Sequence, residues 1–223
     1  MESSTPPAQN WEPEASYRRI SYYQNNRMGI GLSAMKELRT HLSFTQLRFH
    51  CSKQQGRTFH VTTVANSTGE AVVQYFSDQT NVLPLACNSL KRLDDDNSQL
   101  AMQCHRWGSQ NNGKWGSRNH KGNKRMYNRA AFIPGENQWN IVNGKWLCDD
   151  TGSNGVSSRD FWKIYVRWNV DNNHRTVDFY ILRHLSVSSE TKHNSVWNVR
   201  QFKQLLSVAS LRDFWRIYVR CRV

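Results

Sequence analysis

Two short acidic runs stand out in a strongly basic chain: Asp94-Asp95-Asp96-Asn97 and Asp149-Asp150. Hard cations such as calcium take several oxygen ligands, and neighbouring carboxylates are tolerated best when a cation neutralises them. The run Asp94 to Asn97 is therefore a candidate cation loop, with calcium as the expected cofactor. An EF-hand is excluded, because Gln99 and His105 stand where that loop needs Gly and Glu. The competing reading is a solvated acidic turn. Asp149-Asp150, followed by Gly152, Asn154 and Gly155, offers a second oxygen-rich loop with the same two readings.

Asp150-Thr151-Gly152-Ser153 matches the active-site tetrapeptide of aspartic peptidases. There one carboxylate of a dyad activates water while the other holds the shared proton. No second such tetrapeptide occurs, so only a homodimer would complete a dyad, and a turn is the better reading. A nucleophile elbow, a P-loop and a His-Glu-x-x-His motif are missing. His50 beside Cys51 and His105 beside Cys104 suggest metal at first sight. Adjacent residues on a strand point to opposite faces, however, so these histidines are expected on the surface or in packing. Asn66-Ser67-Thr68 is a glycosylation sequon placed in an expected loop, which makes Asn66 a modification candidate.

The chain has 223 residues, a net charge of +13, and nine Trp, nine Phe and eight Tyr, with a mean hydropathy of −0.76. A few large aromatics must build the core, with polar loops between them. The charge favours polyanions as partners: nucleic acid, sulfated glycans or anionic lipid. The basic, aromatic stretch from Arg106-Trp107 to Tyr127 could stack bases and neutralise phosphates, or stack on sugar rings, or supply core tryptophans. It carries no recognisable nucleic-acid-binding motif, so nucleic acid is the lesser alternative. Of five cysteines, Cys51, Cys87, Cys104 and Cys148 could make two disulfides, with three connectivities open. In a reducing compartment they would be ordinary buried thiols. No segment is apolar enough to cross a bilayer, so no membrane insertion is expected. Met1 to Tyr23 shows no apolar run and hence no visible signal peptide.

These groups need elements to position them. Residues 1–29 combine Pro, Ser, Asn and Gln and read as a disordered lead. Ser33 is expected to cap a helix over Ala34 to Leu42, with Met35, Leu38 and Leu42 on one face. Thr45 to Cys51 and Thr58 to Val64 alternate and form an expected hairpin. Leu47, Phe49 and Cys51 share one face against Arg48 and His50. Ala71 to Phe76 is a short apolar element of open type. Asn143-Gly144 suits a tight hairpin turn, which sets Ile141 opposite Trp146 and Trp139 opposite Cys148. Phe161 to Arg167 alternates and is expected to close the domain. The nonapeptide Arg159 to Arg167 recurs, with one Lys-to-Arg change, at Arg212 to Arg220. Residues 168–223 therefore read as an appended tail with one amphipathic helix near Val196 to Ala209.

Leu47-Arg48-Phe49 before a Gly-containing turn, Asp94-Asp95-Asp96-Asn97 leading to Cys104, Asn112-Gly113-Lys114-Trp115 and the strand Phe161 to Arg167 follow a familiar order. Together, over residues 30–167, they resemble the fibrinogen-related, lectin-like domains of secreted invertebrate proteins. The family's opening cysteine and Gly-Gly-Trp segment are missing, the acidic run lacks its Asp-Asn-Asp alternation, and cysteine spacing after Cys104 differs. The resemblance implies a calcium-assisted pocket for polar glycan groups, with Asp94 and Asp96 as its metal ligands and Trp107 and Trp115 near it. The expectation is a disulfide-stabilised α+β domain of short antiparallel strands and long loops. It would be extracellular and no enzyme, binding a glycan or matrix polyanion.

Overall fold

The computed structural model describes residues 12–18, 27–117, 122–142, 145–152, 156–157, 159–169 and 176–185. The class is α+β, as expected, and every named strand pair is antiparallel. Helix α1 (Leu32–Leu42) presents Leu32, Met35 and Leu38 to the core at helical spacing. Its N-cap is Gly31 with no side-chain cap, so it starts two residues ahead of the expected Ser33 position. Strands β2 (Gln46–Ser52) and β3 (Thr58–Thr63) form the expected hairpin, and Leu47, Phe49 and Cys51 are all buried on one face.

The apolar stretch ending at Phe76 is a helix, α2 (Ser67–Phe76). Gly69 lets it start there, because a Cβ at that position would lie 1.9 Å from the Val64 carbonyl oxygen. Arg39 of α1 pairs with Glu70 of α2 at 2.5 Å, tying the two helices together. Beyond α2 come β4 (Leu90–Arg92), the short helix α3 (Gln99–Met102), β5 (Gln138–Asn140) and β6 (Leu147–Asp150).

The closing strand is not the last. β7 (Phe161–Asn169) lies between β2 and β8 (Thr176–Leu185), and β8 in turn pairs with β1 (Arg27–Gly29). The main sheet therefore runs β1-β8-β7-β2-β3-β4. This corrects the expected boundaries at both ends. Residues 176–185 belong to the sheet rather than to a tail. The lead contributes β1, a bridge from Glu14 to Ile30 and the buried ring of Tyr17 against His41. The expected helix near Val196 and the repeat at Arg212 lie outside the described residues.

β5 and β6 form a separate two-stranded ribbon in which Trp139 stands opposite Cys148, as the spacing requires. The ladder stops at Asn140–Leu147, and Ile141 donates instead to the Tyr127 carbonyl. The Asn143-Gly144 turn itself lies outside the described residues. The core is aromatic. Phe49 sits 5.4 Å from each of Phe76, Trp115 and Trp139. Buried indole N–H groups find acceptors: Trp107 donates to Leu100 O, Trp115 to Ser89 Oγ, Trp139 to Met126 O and Trp162 to Leu147 O.

Two disulfides fix the loops, Cys51–Cys148 and Cys87–Cys104. The first joins β2 of the main sheet to β6 of the ribbon, which resolves the three connectivities into one. No helix among the described residues is long and apolar enough to cross a membrane.

Candidate functional site

The acidic runs form two internal hubs rather than open cation loops. Asp96 is buried. It accepts from the His60 backbone N–H at 2.6 Å, from Arg92 Nε at 2.9 Å and from the Ser98 hydroxyl at 3.1 Å. Asp94 is exposed. The expected pair Asp94 and Asp96 is thus not assembled: one carboxylate is spent on protein donors and the other turns to solvent. Asp149 is also internal. It accepts from Arg57 Nε, from the Gln99 and Leu100 N–H groups at 2.9 and 2.7 Å, and from Asn137 at 3.0 Å. Those two amides open α3, so Asp149 satisfies the helix start from a distant strand.

Asp150, the candidate peptidase residue, accepts from Lys53 Nζ at 2.6 Å and from the Cys148 N–H at 3.1 Å. Burial raises its carboxyl, against the opposing pull of Lys53. A carboxylate held by a buried lysine is poorly placed to activate water, and Asp150 is the last residue of β6. Ser153 lies outside the described residues.

Trp107 and Trp115 are fully buried and meet edge to face at 4.8 Å. They are core residues, and the expected place beside a ligand pocket is corrected accordingly. The basic stretch is likewise turned inward in part. Arg125 is 3% exposed and donates to the Tyr75 carbonyl at 2.6 Å, while Tyr127 is buried. These aromatics offer no face on which a base could stack. Asn66 is exposed but is not in a loop: it is the N-cap of α2, its side-chain oxygen accepting from the Thr68 and Gly69 N–H groups.

The most chemically capable cluster lies on the side of β2–β3 away from the aromatic core. His50 and His60 are direct cross-strand partners, and their rings stack at 3.6 Å with an interplanar angle of 6°. Asp95 reaches over from the loop after β4. Its Oδ1 takes a hydrogen bond from His60 Nδ1, and its Oδ2 lies 3.5 Å from His50 Nε2. One ligand atom from each of the three residues falls within 4.8 Å of the others. His60 Nε2 is buried with no hydrogen-bond partner. Phe161 closes on His50 edge to face at 4.7 Å, with Lys163 Nζ over the Phe161 ring, and Arg48 lies over Tyr165.

Burial, reinforced by the neighbouring ring, pushes His50 down to about 3, and burial lowers His60 as well. Partial burial would raise the Asp95 carboxyl, but the hydrogen bond from His60 and the electrostatic pull of both imidazoles together offset it and hold the carboxyl below its ordinary value. At neutral pH the cluster is two neutral imidazoles sharing one carboxylate, a set able to pass protons or to take a cation.

From the sequence, His50 is expected on the surface or in packing, and His60 is not singled out. The alternation already noted carried the missing signal. Phe59 and Val61 must face the core, so His60 faces the other way, onto the same side as His50. Nothing in the spacing announces that Asp95, 35 residues on, completes the group. Comparison of the chain with protein-family models, curated proteins and solved structures gives no match. The functional reading rests on the residues themselves.

Proposed function

We propose that this protein is a non-catalytic extracellular binding module for glycans or matrix polyanions, of the fibrinogen-related kind. The observation that carries the reading is the pair of disulfides, Cys51–Cys148 and Cys87–Cys104. Such bonds persist in oxidising compartments and suit loop-rich domains with polar exteriors. The net charge of +13 supplies long-range attraction to a polyanion. Kinship with fibrinogen-related domains is supported by the acidic run leading into a disulfide-bonded Cys104. Against catalysis stands the commitment of Asp96, Asp149 and Asp150 to protein donors. Calcium at Asp94 and Asp96 draws no support from the fold, since Asp96 is already satisfied.

The test is a glycan array with the oxidised protein, run with calcium and with chelator, beside heparin chromatography over a salt gradient. Binding to sulfated or acidic glycans that weakens with salt is expected, and it should survive calcium chelation. Four free thiols by mass spectrometry, or no glycan retained at physiological salt, would sink the reading.

A further inference from the structure

We propose that His50, His60 and Asp95 form a binding site for a borderline divalent transition metal, Zn2+ or Cu2+, on the outer face of the β2–β3 hairpin. The backbone makes the first part of the case. His50 and His60 are directly opposite on adjacent strands. Cβ atoms of such a pair lie about 5 Å apart, close enough for both imidazoles to reach one ion. The strands, rather than long flexible side chains, hold the two nitrogens near each other. Asp95 supplies an oxygen from a third segment, and the three ligand atoms already lie within 4.8 Å of one another. A tetrahedral zinc with bonds of about 2.0–2.1 Å asks for ligand atoms about 3.3 Å apart, so a modest contraction completes the set. The stacked rings must tilt toward each other, because lone pairs lie in the ring planes. That tilt runs along the soft terminal torsion of histidine.

The second part is the cost of the present arrangement. His60 is 8% exposed, and its Nε2 is buried without a partner. A threonine or valine in that position would carry no such orphan, so hydrogen bonding alone does not account for an imidazole here. Asp95 remains 55% exposed, which leaves an open side for entry and for a water ligand. Lys163 and Arg48 lie on the same face, but each is drawn over an aromatic ring. Two imidazoles and one carboxylate suit Zn2+ and Cu2+, whereas Ca2+ asks for six or more oxygens. The site stands independently of the glycan-binding reading.

The experiment titrates the full-length, disulfide-intact protein with Zn2+ by calorimetry and with Cu2+ by electron paramagnetic resonance. The expected results are one tight Zn2+ equivalent, Cu2+ binding more tightly still, and a Cu2+ spectrum showing coupling to two imidazole nitrogens. His50→Gln and Asp95→Asn should each weaken Zn2+ binding at least about tenfold. His105→Gln, which alters an exposed histidine on another element, should leave it unchanged. Because Asp95 is exposed on a loop, its variant keeps the question decidable should a histidine variant fold poorly. Binding unaltered in Asp95→Asn and His50→Gln, or no Zn2+ bound by the parent protein, overturns the proposal.

Discussion

At Asp149 one carboxylate meets donors from three separate parts of the chain: Arg57, the first amides of α3, and Asn137. The residue also sits at φ 55°, a left-handed conformation that Asp tolerates better than most side chains. Asp149→Asn keeps the shape and the backbone tolerance but loses the charge and turns an N–H toward other N–H groups. It should lower stability by about 3 kcal/mol, read from the shift of the urea midpoint. Asp94→Asn, an exposed change, should move the midpoint by no more than about 0.5 kcal/mol. His50 gives a pH prediction. Its pKa of about 3 in the folded protein lies below the ordinary value of 6.5 expected in the unfolded chain. Between those values the unfolded state binds more protons, so stability rises with pH and falls as the solution is acidified. The slope is at most about 1.4 kcal/mol per pH unit from this group. His60 and Asp95 act in the same direction, and Asp150, whose carboxyl is raised, opposes them. His50→Gln should flatten the fall in the urea midpoint between pH 6.5 and 4.5.

Elements were legible in proportion to how local their cause is. The β2–β3 hairpin could be read from alternation, and the opposition of Trp139 and Cys148 from the distance between them. Helix α2 could not be placed with the same ease. Its start depends on Asn66 turning its side chain back onto two amides, and the same triplet reads equally well as a glycosylation signal. The roles collide at one residue but not at one atom, since the cap uses the amide oxygen and a glycan would use the nitrogen. Asn66→Asp should therefore preserve α2, whereas Asn66→Ala should cost about 1 kcal/mol by thermal unfolding. The acidic hubs were illegible for a different reason. Sequence shows that Asp94, Asp95 and Asp96 are adjacent, but only the packing of β3 against the following loop decides which of them turns inward. Asp96 meets the His60 amide, Asp95 meets the His60 ring and Asp94 meets neither.

For the molecule as a whole, the unforeseen feature is the position of β8. It is paired on both sides, with β1 and with β7, so it is internal to the sheet. Termination after Arg167 should leave β7 as a bare edge and β1 without its partner. The shortened chain is expected to aggregate, or to show fast amide exchange along β7, where the full chain protects it. Reduction should be as damaging. Closing loops of 97 and 17 residues restricts the unfolded chain by about 5 and about 3 kcal/mol. Their sum is comparable with the stability of a whole domain, so the reduced protein should unfold at a much lower temperature.

The Cys51–Cys148 bond also governs how the protein bears tension. A pull applied to its two ends passes from β2 straight across the sulfurs to β6, and everything between them, the second bond included, is bypassed. That shunt withholds about 330 Å of slack at full extension. A thiol reductant would release it, lengthening a stretched tether without cutting a peptide bond.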